Sequence, residues 1–235
     1  MITRSGQKTV IITGAGGNLG QVAVIRFLKE GYRVVATVSP GKAFSIQNQN
    51  LEVASVDLTD ESQVQAWLHG VVKKYPAVDA AVLLAGSFAG GDIEGSDAAL
   101  LRKMIAVNFE SAFFVSQRIF KQMCVQPSGG RIVLIASQPA LEPKKATTAV
   151  AYAISKSMLI NLAGILNAEG DSKNVVTGVV APSVIDTPSN RQHIPGADYG
   201  RWVTPEEIVE MILFICNDTG RSLRDPIIKM YGGLG

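Results

Sequence analysis

Thr13-Gly14-Ala15-Gly16-Gly17-Asn18-Leu19-Gly20 decides the reading of the fold. The β-branched run Thr9-Val10-Ile11-Ile12 precedes it, and a segment with helical spacing of apolar residues follows it, residues 19–31. A glycine-rich turn between a strand and a helix leaves backbone N–H groups bare at the positive end of the helix dipole, where a pyrophosphate binds. Alone, such a string reads as a flexible connection. With a strand before it and a helix after it, the string reads as a dinucleotide-binding turn.

Outward from that turn the alternation continues. Strand-like runs at residues 10–13, 33–38, 51–56, 78–84, 131–136, 175–180 and 226–230 alternate with helical patterns at 19–31, 61–74, 97–126, 149–169 and 205–217. Several runs are apolar throughout, as strands buried on both faces must be. The pattern predicts an α/β fold, a Rossmann-like doubly wound parallel sheet of about seven strands with helices on both faces, forming a single domain over 1–235. Thr204, Pro205, Glu206 and Glu207 carry the signals of a helix start. Residues 183–203 show no confident element; a loop that long in a compact domain suggests a substrate loop.

The chain has 235 residues, 47% hydrophobic and 18% charged, enough for one large core. Its formal charge of +2 comes from 22 basic and 20 acidic residues without a Lys/Arg run, which argues against a nucleic-acid partner. Cys124 and Cys216 each sit in an apolar helical pattern and read as small hydrophobes. Met1 to Lys8 leave no room for a signal peptide before the first strand, and no run approaches the roughly 18 apolar residues of a membrane span, the richest short one being residues 211–216. These readings predict a soluble, cytoplasmic protein with no membrane partner. With His69 and His193 far from each other and from the cysteines, no metal is expected; His69 reads as a helix-surface residue, and Arg191 and His193 as a salt-bridged or solvated loop.

Choice of nicotinamide nucleotide rests on the end of the second strand, where an acidic side chain selects NAD by binding ribose hydroxyls. Here Thr37-Val38-Ser39-Pro40-Gly41-Lys42 offers hydroxyls and one cation, which would not repel a 2′-phosphate, so NADP(H) is favoured and NAD(H) remains possible. Ser39 and Lys42 are the local candidates. Asp57-Leu58, ending the third strand, either meets the adenine or caps the helix that follows.

Tyr152-Ala153-Ile154-Ser155-Lys156 lies in a helical pattern, so Tyr152 and Lys156 share one face a turn apart. A cation about 4 Å from a phenol is worth roughly 4 kcal/mol at an effective dielectric of 20, or about three pKa units. Lys156 is therefore expected to draw Tyr152 toward the working range of a general acid or base. Ser137 ends the apolar strand before this helix, and Asn108 lies in the preceding long helix.

In order and approximate spacing, Asn108, Ser137, Tyr152 and Lys156 resemble the catalytic tetrad of the classical short-chain dehydrogenase/reductase family. Gly14, Gly16, Gly17, Asn18, Leu19 and Gly20 resemble its nucleotide fingerprint, with Asn18 in place of a glycine. Asn tolerates left-handed backbone, at some conformational cost if φ is positive there. Leu84-Ala85-Gly86 stands where the family has its Asn-Asn-Ala-Gly turn, and Pro182-Ser183-Val184-Ile185-Asp186-Thr187 resembles its Pro-Gly segment, with Ser183 for glycine. The resemblance implies that Tyr152 protonates a carbonyl oxygen that Ser137 hydrogen-bonds. It implies too that Lys156 lowers the Tyr152 pKa and binds the nicotinamide ribose, and that Asn108 supports a proton-relay water. It further implies that Asp57, Leu58, Ala85, Gly86, Pro182, Ile185 and Thr187 contact the nucleotide, that the substrate is a small carbonyl or alcohol, and that the chain forms a homodimer or homotetramer. The Ser137 to Tyr152 interval, slightly longer than the family's, is expected to bulge without moving either end.

The stretches Asp186-Thr187-Pro188-Ser189-Asn190-Arg191, Ile194-Pro195-Gly196-Ala197-Asp198 with Trp202, and Ala85-Gly86-Ser87-Phe88-Ala89-Gly90-Gly91 are also similar to dihydropteridine reductases. Those reductases carry an acidic NADH-selecting residue after the second strand and lack the tetrad serine; this chain shows the reverse on both points. Three readings follow: a carbonyl reductase using NADP(H) or NAD(H), a dihydropteridine reductase-like enzyme, and a non-catalytic dinucleotide-sensing protein, against which the intact tetrad argues.

Overall fold

The computed structural model describes residues 6–235; residues 1–5, where the reading of the N-terminus begins, lie outside the described residues. Seven parallel strands form one sheet in the order β3-β2-β1-β4-β5-β6-β7: β1 Thr9–Thr13, β2 Arg33–Val38, β3 Leu51–Ser55, β4 Ala80–Leu83, β5 Gly130–Ile135, β6 Val175–Pro182 and β7 Ile227–Met230. Each crossover helix covers a face. On one face lie α2 (Glu61–Lys74), α4 (Ser111–Val125) and α7 (Val150–Gly170), and on the other α1 (Asn18–Lys29) and α9 (Pro205–Cys216).

The period of two along each strand separates two cores. In β1, Ile11 joins Leu68, Ile119 and Leu159 on the first face, while Val10 and Ile12 join Phe27 and Ile212 on the second. All five residues of β1 are buried, which is why the strand carries no polar/apolar alternation in the sequence.

Helix starts follow the side-chain caps written in the sequence. Asp60 caps α2, Asp97 caps α3 (Ala98–Ile105), and Thr204 with Glu207 forms a reciprocal capping box on α9. The helix expected over 97–126 is interrupted: α3 passes into a π-helical segment, Ala106–Glu110, before α4 resumes the ordinary period. Residues 138–146 fold into two short helices opened by prolines, α5 (Gln138–Leu141) and α6 (Pro143–Ala146), which take up the extra length between Ser137 and Tyr152. The 183–203 stretch likewise contains α8, Pro188–His193, capped by Thr187.

One composition argument needs correction. The segment Val150–Lys173 is long and apolar enough to cross a membrane, although it has no unbroken apolar run. In the fold, Leu159, Leu162, Ala163 and Leu166 of α7 pack on the sheet. Both cysteines are free and helical, Cys216 buried and Cys124 half-buried.

Candidate active site

The chain leaves β1 on one side for β2 and returns on the other as β4, so β1 and β4 flank the topological switch point, where open α/β sheets bind their ligands. The turn after β1 is built on two glycines, Gly14 and Gly20, that nothing larger can replace without moving backbone. Gly14 has φ 67°, and a Cβ there would lie 2.8 Å from the Ala85 nitrogen. A Cβ on Gly20 would fall 2.2 Å from the Gly14 oxygen. Gly17 is the N-cap of α1 and supplies no side-chain acceptor, and the first turn of α1 carries no acidic residue. Unlike those of α2, α3 and α9, the leading N–H groups of α1 have no side-chain cap, which suits an anionic ligand. Asn18 is the first residue of α1, and among the described non-glycine residues only Asn174 and Asp225 have positive φ. The conformational cost weighed for Asn18 does not arise, because its position is helical. Leu19 turns toward the second core.

At the end of β2, Lys42 N donates to Ser39 O at 3.0 Å, and Gly41 has φ 75°, the geometry of a type II turn with Pro40 at its first corner. The turn folds Lys42 back so that its Cγ lies 3.1 Å from where a Cβ on Gly16 would stand. Lys42 thus sits beside the glycine turn. Asp57 Oδ1 accepts from Thr59 N at 2.9 Å and Thr59 Oγ1 at 2.7 Å, and the helix cap is Asp60. Leu58 is buried in the first core, which leaves its backbone for any ligand contact.

Two of the four tetrad residues, Asn108 and Lys156, meet at Gly86. A Cβ there would lie 2.7 Å from Asn108 Oδ1 and 3.2 Å from Lys156 Nζ, so only a glycine lets the β4 turn approach this closely. The π-helical segment carries Asn108, fully buried, with Oδ1 accepting from Ser87 N at 2.9 Å and Nδ2 donating to Ser87 O and Ser155 Oγ, both at 3.0 Å. Ser155 Oγ in turn donates to Tyr152 O at 2.7 Å. Asn108 and Ser155 therefore bracket the first turn of α7 against the β4 turn. Sequence reasoning passed over Ser155; its signal was a small polar residue on the buried side of an apolar helix.

Tyr152 and Lys156 lie one turn apart near the start of α7. Lys156 Nζ donates to Ile135 O at 2.8 Å, and burial pushes its pKa down to about 8. Burial raises the Tyr152 phenol above its ordinary value, and the Ser137 hydroxyl pulls it part of the way back. The expectation that Lys156 draws the phenol toward neutrality is corrected: burial dominates at Tyr152, only Ser137 opposes it, and the phenol stays protonated at neutral pH, while Lys156 gives one of its three donors to a β5 carbonyl. Ser137 Oγ is buried and completes no hydrogen bond among the described residues; its approach to the phenol falls short of good geometry. An unpartnered hydroxyl beside a protonated phenol is a site made to receive an oxygen. On the other side, Phe88, 69% exposed, meets the Tyr152 ring edge-on with centroids 5.0 Å apart.

Beyond β6, where Pro182 pairs with Met230, the chain enters the 183–203 stretch, zipped at its base by Asp186 N to Val203 O and Val203 N to Val184 O. Asn190 binds this entry from both ends, its Nδ2 donating to Ile185 O and its N to Thr187 Oγ1. Arg191 makes two bonds to Asp186, at 2.6 and 2.7 Å, and His193 contacts Ser189 O, so both are loop-internal, as expected. His69 is exposed on α2.

The short chain dehydrogenase family model matches residues 8–197. Among curated relatives, the 3-oxoacyl-(acyl-carrier-protein) reductase FabG of Thermotoga maritima is 27% identical over 97% of both chains. The cyclic-di-GMP-binding biofilm dispersal mediator protein of Escherichia coli K12 is 29% identical, also over 97% of both. A solved structure of ElxO with NADP bound superposes with TM-score 0.88 at 24% identity, covering 97% of this chain and 99% of the other, a likeness of fold. With the glycine turn at the switch point and the family match spanning four-fifths of its length, the chain belongs to the short-chain dehydrogenase family, NAD(P)-dependent oxidoreductases that interconvert a carbonyl and a CH–OH group on small molecules.

Proposed function

We propose that the protein is an NADP(H)-dependent carbonyl reductase in which Tyr152 is the general acid. The observation that carries this reading is the buried Ser137 hydroxyl, left without a complete partner beside the protonated Tyr152 phenol, one helical turn from the Lys156 that meets Asn108 at Gly86. A nicotinamide nucleotide held there would supply the hydride for the substrate carbon. Ser137 Oγ donates a hydrogen bond to the substrate oxygen, and Tyr152 Oη delivers its proton there. Lys156 offsets the negative charge left on Tyr152 and holds the nucleotide ribose, while Asn108 is a positioning residue whose amide fixes the β4 turn. The glycine turn and Ala85 take the pyrophosphate side, Asp57 and the Leu58 backbone the adenine side, and Pro182, Ile185 and Thr187 the nicotinamide side. Residues 183–203 form the substrate loop.

Lys42 beside Gly16, with no carboxylate at the end of β2, supports NADPH over NADH. Titration of nucleotide fluorescence is expected to give at least tenfold tighter binding of NADPH, and Lys42→Ala to bring the two within about threefold. Equal affinities in the wild type would return the preference to NADH or to neither.

The pH profile has a defined sign. Lys156 carries its charge below about pH 8 and loses it above. The uncharged amine no longer offsets the Tyr152 anion, so reductive kcat/KM is expected to fall with a limb centred near pH 8. In the activity that Lys156→Arg retains, that limb should move above pH 10, since arginine stays charged. An unmoved limb would assign it to another group.

Two other readings keep their observations. The loop similarity to dihydropteridine reductases makes quinonoid dihydropterin a member of the carbonyl panel to be assayed. A nucleotide-sensing role, suggested by the Escherichia coli relative's name, is disfavoured by the intact tetrad; turnover of NADPH that requires an added carbonyl would eliminate it. Ile154 and Ile165 on α7 and Val125 on α4 are exposed, the last two by more than 60%, which supports a homodimer or homotetramer through these helices. A solution mass of one chain would count against that assembly.

A further inference from the structure

One residue beyond Ser137 begins a polar cluster that the reductase reading does not use. Gln138 is buried, and its Nε2 donates to Glu142 Oε2 at 3.0 Å, one helical turn on. Tyr231, just past β7, brings its hydroxyl against the same carboxylate; burial and then Glu142 raise the phenol's pKa. Its Oη is buried, and no group completes a hydrogen bond of good geometry with it. The backbone locks this tyrosine in place: Ser183 Oγ donates to Tyr231 O at 2.9 Å, and Ser183 N to Met230 O. That bond also gives the departure from glycine at Ser183 a physical role. Lys229 Nζ lies 6.0 Å from the Tyr231 ring centroid, yet among the described residues Glu142 takes part in no ion pair.

The half-buried Glu142 carboxylate thus lies between Gln138, the residue after Ser137, and the Tyr231 hydroxyl, at the carboxyl ends of β5 to β7 that hold the tetrad, and both the Ser137 and the Tyr231 hydroxyls lack a complete partner among the described residues. The cluster is rich in acceptors: the Glu142 oxygens, the Gln138 carbonyl and the Tyr231 oxygen. We propose that Glu142, oriented by Gln138 and Tyr231, is a specificity-determining residue that selects carbonyl substrates bearing a hydrogen-bond donor, a hydroxyl or an ammonium, on the arm that reaches the junction of α5 and α6. This rests on the reductase reading and deepens it. A site built to bond a substrate OH or NH rejects the analogue that lacks it far more strongly than an apolar pocket rejects an extra group.

The test compares matched ketones that differ only in an ammonium, a hydroxyl or a methyl at one position. The wild type is expected to favour a donor-bearing ketone over the methyl isostere at least tenfold in kcat/KM, mostly through KM. Glu142→Gln should reduce that ratio to about threefold or less for the hydroxyl and collapse it for the ammonium; Tyr231→Phe should lower it by a smaller factor. Because the readout is a ratio, a general loss of folded enzyme cancels. Equal losses for all three ketones would make Glu142 a purely structural tether, and a wild-type ratio near one would overturn the proposal while leaving the reductase reading intact. Should no ketone turn over, the reductase reading fails by itself. The same ratio is then read from the dissociation constants of the three ligands with NADP⁺ present, and equality among them overturns the proposal.

Discussion

Tyr152→Phe is expected to slow carbonyl reduction by about three orders of magnitude, in the middle of the range for a lost general acid and equivalent to about 4 kcal/mol of barrier. The substitution removes a single oxygen. The ring remains, and with it the edge-on contact with Phe88, so the start of α7 has no packing reason to move. Asn108 reaches this turn through Ser155 and the Tyr152 backbone oxygen, bonds that do not involve the phenol. NADPH affinity should therefore stay within about threefold while kcat falls. Steady-state rates with one reduced ketone, set beside a fluorescence titration of the variant with NADPH, check both halves. A loss of less than tenfold in kcat would mean that another group delivers the proton and would remove Tyr152 from its assigned role.

Gly20→Ala should have the largest effect on nucleotide binding. The added Cβ would stand 2.2 Å from the Gly14 oxygen, 2.7 Å from Ala15 Cα and 2.9 Å from the Gly14 carbonyl carbon. All three are backbone atoms, so no side chain can swing away, and the turn itself must open. Overpacking of this kind costs about 1–3 kcal/mol of stability, or roughly 2–10 °C in Tm for a chain of this size. Opening the turn also displaces the leading N–H groups of α1, and NADPH affinity should fall about 100-fold or more, close to 3 kcal/mol. Gly17→Ala is the internal comparison. Its Cβ would meet the Gly14 oxygen at 3.4 Å, an ordinary contact, and the residue is exposed. Thermal melts and NADPH titrations of the two variants should separate by an order of magnitude in affinity; similar losses would mean that the steric closure of the turn is not what shapes the nucleotide site.

The centre of the sheet was legible in the sequence because β1, β4, β5 and β6 are buried on both faces, and continuous apolar runs such as Val10 to Ile12 have few other uses in a chain with glycine turns at their ends. Helix starts were legible where a cap side chain stood in plain sequence, as at Thr204. The same Thr-Pro signal opens α8 at Thr187-Pro188, but there it was followed by only one turn, too short to raise a periodic apolar pattern. Ser137, Tyr152 and Lys156 were singled out by their spacing and by its resemblance to the family tetrad. What spacing could not give was the state of the charges. A cation four residues from a phenol on a helix suggests mutual stabilisation, whereas the Lys156 ammonium is engaged by Ile135 O, an acceptor on another element that no local pattern announces. The Gln138, Glu142 and Tyr231 cluster was invisible for a similar reason: its third member arrives from β7, 89 residues beyond Glu142.

The π-helical segment at Ala106–Glu110 makes the catalytic geometry a matter of rotational phase. An α-helix turns about 100° per residue, and one wider turn takes an extra residue to cover nearly the same rotation, so the buried positions after it fall out of step in sequence with those before. Met104 of α3 is buried on one side of that step, and Val115, Ile119 and Met123 of α4 fill the core on the other. Asn108 sits on the step itself. Removing one residue from the segment would restore a regular helix and leave both faces in the core, because the wide turn is where the extra residue is absorbed; the group displaced would be Asn108, whose amide is held against Ser87 and Ser155 from that turn. Removing one from the regular turns on either side would instead swing one of the two faces by roughly 100°, out of the protein interior. The helix can therefore be shortened within the wide turn at the expense of Asn108, and elsewhere only at the expense of a buried face.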